Sequence, residues 1–278
     1  MSNKAAEPAF RASPVLLVPV VASLIVCALC ALLLSLSGTS LPSVTLLPET
    51  GFGPLVNAMI FVVAAGIGAS VIYLILKHKV RWLVRLLTGF AITVVTFFLS
   101  ELYLWMLFSL LNIGSVDLLA FVNAVLITVV VDVELFVLDN LGYEIIILSL
   151  GGALGAFLGA SIPTFSAVLI LLFLAVYDVV AVFRGPVGKI AVEGLEHLRG
   201  LSFSFRDIQM GLGDLTFYSM LISHALVFFG PLASLGGAVG VLVGSLLSFK
   251  MLEKKGMFPG LPFSIVLGLV GVFIVALL

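Results

Sequence analysis

The chain alternates long apolar runs with short clusters of charge, proline and glycine, and each run has the length of a membrane-spanning helix. Such a helix needs about 20 mostly apolar residues. Cutting at the polar clusters leaves nine runs, approximately Val15 to Leu36, Pro54 to Leu76, Leu86 to Leu111, Leu118 to Leu138, Glu144 to Ser161, Pro163 to Phe183, Met210 to Phe229, Leu232 to Phe249 and Leu261 to Leu278. The fifth and sixth abut at Ile162, and their joint length of 40 residues is read as two spans. The expected fold is all-α, a polytopic membrane protein with nine transmembrane helices. Residues 1–161 would supply a five-helix scaffold and residues 162–278 the four helices that carry the chemistry, within one membrane domain.

Composition strengthens this reading: 62% of the residues are hydrophobic and only 10% charged, and the mean hydropathy is +1.35. A soluble domain is roughly 45–50% apolar and about 25% charged. With 13 basic against 14 acidic residues, there is no basic surface for nucleic acid, so the lipid bilayer of the cell membrane is the expected surrounding. The first run is too long, and lacks the small-residue cleavage site, for a removable signal peptide. Cys27 and Cys30 both fall inside that run without companions for a zinc site, and are read as buried small side chains. No metal or cofactor is expected.

Charge also orients the chain. Cytoplasmic loops collect Lys and Arg, and nine spans with the N-terminus inside place Lys4 and Arg11, then Lys77, Lys79, Arg81 and Arg85, then Arg184, Lys189, Arg199 and Arg206, and finally Lys250, Lys254 and Lys255 on the cytoplasmic side. Those are all 13 basic residues. The C-terminus is then extracytoplasmic. The sixth loop, 184–209, is the long one, with room for an amphipathic interfacial helix or a solvated linker. Glycine ladders at Gly151, Gly155, Gly159 and at Gly236, Gly240, Gly244 let helix backbones approach; close packing within the monomer is preferred over a dimer face.

Ionisable groups at membrane depth are costly and mark function. The candidates are Glu101, Asp132, Glu134, Asp178 and Asp214. Glu101, Asp132 and Glu134 are assigned packing or interfacial roles. Asp178 lies five residues before the end of the sixth run, roughly 7–8 Å along a helix. Asp214 lies just inside the start of the seventh, so two antiparallel helices bring two carboxylates to one level. Such a pair is what hydrolysis by an activated water needs: one ionised group takes the proton, and the other polarises the scissile carbonyl. Two acids a few ångströms apart share one proton and titrate as a unit. Gly211 and Gly213 clear side chains from the approach to Asp214.

These residues resemble a known family. Tyr177-Asp178, and Gly211-Leu212-Gly213-Asp214 continuing into Phe217-Tyr218-Ser219, look like the YD and GxGD motifs of presenilin-type intramembrane aspartyl proteases, and Pro259-Gly260-Leu261 is similar to their PAL motif with Gly in place of Ala. The resemblance implies that Asp178 and Asp214 are catalytic, that Tyr177, Gly211, Leu212 and Gly213 support them, and that Pro259, Gly260 and Leu261 bind substrate beside them. It implies transmembrane protein substrates, no cofactor, and activity without partner subunits, and leaves homo-oligomers open. The basic-loop orientation and Pro262 resemble presenilins more than the inverted signal peptide peptidases, and the short sixth loop points to an uncut archaeal or other prokaryotic chain. Pro259 and Pro262 are expected to hold Gly260 and Leu261 in an extended or irregular conformation, with carbonyls not tied into a helix. Two other readings compete: a transporter relaying protons through Asp132, Glu134, Asp178 and Asp214, and a serine protease pairing Ser161 with His224.

Overall fold

The computed structural model of the protein describes residues 11–39, 41–138, 142–185, 202–205 and 208–278. Among them nine α-helices follow in order: α1 (Val18–Ser37), α2 (Gly53–Lys77), α3 (Arg81–Leu110), α4 (Val116–Val133), α5 (Gly142–Ser161), α6 (Thr164–Phe183), α7 (Leu212–Phe229), α8 (Pro231–Lys255) and α9 (Leu261–Ala276). A 3-10 turn, Pro14–Leu17, leads into α1, and a π-helical turn, Glu134–Leu138, prolongs α4. The first eight are long and apolar enough to cross a membrane. The ninth has 16 residues, about 24 Å at 1.5 Å per residue, so it falls short of the roughly 30 Å hydrocarbon core.

The breaks follow the expected punctuation. Gly38 and Gly256 close α1 and α8 in the left-handed conformation that glycine adopts freely. Pro163 stands extended before α6, which separates α5 from α6 as the sequence predicts. The backbone N–H of Ala12 donates to the Glu253 carboxylate at 3.0 Å. The chain start and the end of α8 thus share a side, as an even number of crossings between them requires.

One boundary differs from expectation. Met210 and Gly211 do not begin the seventh helix but close a strand, β2 (Ile208–Gly211), paired antiparallel with β1 (Ser202–Phe205), Ser202 opposite Gly211 and Phe205 opposite Ile208. Ile208 and Met210 are buried while Gln209 is exposed. That two-residue alternation is a strand's, and it was hidden by the apolar run that follows. The interfacial helix anticipated in the same loop falls on 186–201, outside the described residues.

Lipid tails are as apolar as leucine, so helices in a membrane associate through close packing of small residues. Both glycine ladders serve this purpose inside the monomer. On α5, a Cβ at Gly155 would run into the Thr216 carbonyl and the Ser219 side chain of α7, and one at Gly159 into the Met220 carbonyl. On α8, Gly236 faces Gly271, Gly240 faces Leu267 and Gly244 faces Phe263, all on α9. Gly152 receives the backbone of α1 at Ser23 and Cys27. Cys27 is fully buried and its thiol donates to the Ser219 carbonyl at 3.0 Å. α3 lies along α4, and α2 along α6.

Replacing Gly155 with Val should therefore destabilise the protein by about 1–3 kcal/mol or more through overpacking, measured as a fall in unfolding temperature in detergent. Gly68→Ala, where an added Cβ meets nothing within 4 Å, should leave that temperature unchanged.

Candidate active site

Asp178 sits in the last third of α6 and Asp214 in the first turn of α7, both half-buried. The start of α9 is what brings them together. The Leu261 N–H donates to Asp178 Oδ2 at 3.0 Å. One residue earlier, a Cβ on Gly260 would stand 2.8 Å from Asp214 Oδ2 and 3.3 Å from the Tyr218 hydroxyl. Two consecutive backbone units thus touch both carboxyls, which lie within each other's electrostatic reach.

Of the two conformations expected here the extended one is absent, Gly260 standing in a bend that caps α9, and its carbonyl is not free. Gly260 has φ −79° and ψ −39°, helical values. Its carbonyl accepts hydrogen bonds from Tyr218 Oη at 2.9 Å, Ser264 Oγ at 3.1 Å and Ser248 Oγ at 3.3 Å. The physical reason is that a backbone carbonyl at membrane depth must find a donor, and three hydroxyls from α7, α8 and α9 supply it. Pro259 and Leu261 are buried. Tyr218, Ser248 and Ser264 join the predicted residues at the site; Tyr218, four positions after Asp214, shares its helix face, whereas the two serines are among many in the apolar spans and carry no signal of their own.

The remaining predicted residues divide. Gly211 ends β2 and precedes α7; a Cβ there, or on Gly213, would meet nothing closer than 3.9 Å. Packing does not demand these glycines, and their bareness leaves space in front of Asp214. Leu212 reaches Gly151 of α5 and seats the first turn of α7. Tyr177 turns away from Asp214, its ring covering Gly66 of α2 and its hydroxyl buried without a partner. Asp132 accepts the Thr93 hydroxyl at 2.8 Å, and Glu134 lies against Gly142. Among the described residues neither hydrogen-bonds directly to Asp178 or Asp214. His224 contacts Gly159 and Thr164, while the buried Ser161 hydroxyl has no partner, so the serine-protease pairing is not formed.

Over residues 21–189 the sequence matches the family described as signal-peptide peptidase, presenilin aspartyl protease. The chain belongs to this family. The matched stretch holds α1 to α6 with Asp178 and ends before Asp214. Likeness of fold continues across α7 to α9: two crystal forms, C222 and P2, of a presenilin family intramembrane aspartate protease superpose with TM-scores of 0.65 and 0.66 at 22% identity, covering 94% of this chain and 98% and 97% of theirs. No curated protein matches. The protein is an intramembrane aspartyl protease and an integral, multi-pass membrane protein, and its family acts on transmembrane substrates within the membrane.

Because an indole has no room beside the Asp214 carboxyl and the Tyr218 hydroxyl, Gly260→Trp should abolish proteolysis with the fold retained, whereas Gly260→Ala, which restores the alanine of the motif it resembles, should stay active. Both are checked by cleavage of a single-span substrate alongside size-exclusion profiles.

Proposed function

We propose that Asp178 and Asp214 are the catalytic pair of this protease. The observation that carries the reading is the contact of one backbone segment, Gly260-Leu261, with both carboxyls. With one proton shared between them, the ionised carboxylate draws a proton from a water as its oxygen attacks the scissile carbonyl. The protonated partner hydrogen-bonds to that carbonyl oxygen, then returns a proton to the leaving amine as the tetrahedral adduct collapses. Pro259, Gly260 and Leu261 form the floor of the site, Gly211 and Gly213 keep the approach to Asp214 open, and Leu212 and Tyr177 support it from behind by packing on α5 and α2.

A transmembrane substrate must unwind before its amide can be attacked, and the freed N–H and C=O groups need new partners. Since the Gly260 carbonyl is already occupied, the strand that receives them is β2, which ends three residues before Asp214; β1 lies toward α5, leaving the far edge of β2 for an extended peptide. Residues 1–161 act as scaffold and 162–278 as the catalytic half, with the N-terminus cytoplasmic and the C-terminus extracytoplasmic. Substrates are single-span proteins cut near their cytoplasmic ends. The chain works uncut, without partner subunits, as a presenilin homologue of prokaryotic type.

Asp178→Asn and Asp214→Asn should each lower cleavage by several orders of magnitude in folded protein, because the amide keeps the shape and loses the titratable proton; Glu101→Gln, Asp132→Asn and Glu134→Gln should stay active. Substantial cleavage by either Asn variant would refute the assignment.

Activity should follow a bell-shaped pH profile. Acid leaves both carboxyls protonated and removes the base, whereas alkali ionises both and removes the acid. Initial rates in protein shown to stay folded measure the two limbs, and a flat profile would contradict the shared proton.

A further inference from the structure

At the end opposite its aspartate, α6 is held by polar contacts that the mechanism does not use. Glu49, from the α1–α2 connection, accepts the Ser166 N–H at 2.7 Å and the Phe165 N–H at 3.3 Å. Those are first-turn donors with no partner inside the helix. Asn57, fully buried near the start of α2, donates to Ser166 Oγ at 3.1 Å while pairing with the N–H and C=O of Leu47 at 3.0 and 2.9 Å. His224 of α7, 5% exposed, closes the group. Its Nδ1 lies 2.9 Å from the Gly159 carbonyl, which only accepts, so Nδ1 carries the hydrogen. Nε2 of the neutral ring then accepts the Thr164 hydroxyl at 3.2 Å. The Phe228 ring stacks on the imidazole at 4.5 Å and fixes its plane.

Between this link and the carboxyls, α6 and α7 are not seamed by glycines as α5 and α7 are. A small apolar cavity lies between them, beginning at the His224 ring itself and reaching Leu171 of α6 and Leu221 of α7, with Leu269 of α9 closing its side. The two aspartate-bearing helices thus have a polar pin at one end and the Gly260-Leu261 bridge at the other. Thr164 and Asp178 are 14 residues apart, about 21 Å along the helix. Over such a lever a tilt of about 3° carries the carboxyl about 1 Å, and a misplacement of that size costs on the order of a hundredfold in rate.

We propose that Glu49, Asn57, Thr164 and His224 form a clamp that sets the tilt of α6 and, through it, the separation of Asp178 and Asp214. They are positioning residues: none touches a reacting atom. The proposal rests on the assignment of those two aspartates as the pair.

The test is steady-state cleavage of a single-span substrate together with binding of an aspartyl-protease transition-state analogue, which must contact both carboxyls at once. Thr164→Val, which exchanges the hydroxyl for a methyl of similar volume, and Glu49→Ala should each lower kcat about tenfold with KM within twofold, and analogue affinity should fall in parallel with kcat. Thr164→Ser, which keeps the hydroxyl, should restore wild-type kcat, and Glu49→Gln, which keeps one acceptor and the side-chain shape, should fall between Ala and wild type. Wild-type kcat in folded Thr164→Val or Glu49→Ala, a loss shared by Thr164→Ser, or a change confined to KM would overturn the clamp. Asp178→Asn in the same assay separates the two ideas. Activity remaining there removes the catalytic pair itself, whereas an inactive Asp178→Asn beside a fully active Thr164→Val removes only the clamp.

Discussion

No peptide group can be left without a partner inside a bilayer, and the carbonyl of Gly260 shows what that demand builds. α9 begins where the chain has just turned back from α8, so its first N–H groups have no preceding helical turn to bond to. Tyr218, Ser248 and Ser264 converge on the Gly260 carbonyl, and Asp178 takes the Leu261 N–H. Four helices meet at one peptide as a result. The placement of Asp178 and Asp214 at a common depth is thereby a consequence of backbone satisfaction as much as of helix packing.

The two aspartates are nevertheless held by different kinds of contact. α7 is locked against α5 by backbone-to-backbone approach at Gly155 and Gly159 and is covered by α1, where Cys27 meets the Ser219 carbonyl. Close-packed small residues of this sort leave a helix little freedom to shift. α6, by contrast, lies along α2, whose buried residues are confined to its first turns, Gly53, Pro54, Asn57 and Ala58. One carboxyl therefore stands on a fixed wall, and the other on a helix steadied mainly at its ends.

Much of this was legible in the sequence because the relevant signals are long-wavelength ones. Nine apolar runs, separated by Pro, Gly and charge, became nine helices, and the spacing of Asp178 from Phe183 and of Asp214 from the loop put both at one level. The ladders at Gly151 and Gly236 were readable because a four-residue repeat of small side chains has one physical use in lipid. What escaped was set by contacts between distant segments. The dihedral angles of Gly260 depend on hydroxyls from α7 and α8, which no local rule about proline could foresee. The strand at Ile208–Gly211 showed only four residues of alternation and ran straight into an apolar helix. His224 read as a candidate partner for Ser161 until the fold placed Gly159 and Thr164 against its two nitrogens.

The shortness of α9 has a bearing on the supply of water. Hydrolysis consumes one molecule per bond, and the pair is flanked by segments whose neighbours are mostly lipid tails. A helix of 16 residues beside others of 18 to 30 is mismatched to the hydrocarbon thickness, and a bilayer meets a short hydrophobic element by thinning around it. The start of α9 lies on the side where α6 ends and α7 begins, so thinning of that kind would bring headgroups and their hydration shell toward that point. With Asp178 and Asp214 as the proposed pair, the membrane itself would then serve as a conduit for the water that hydrolysis consumes.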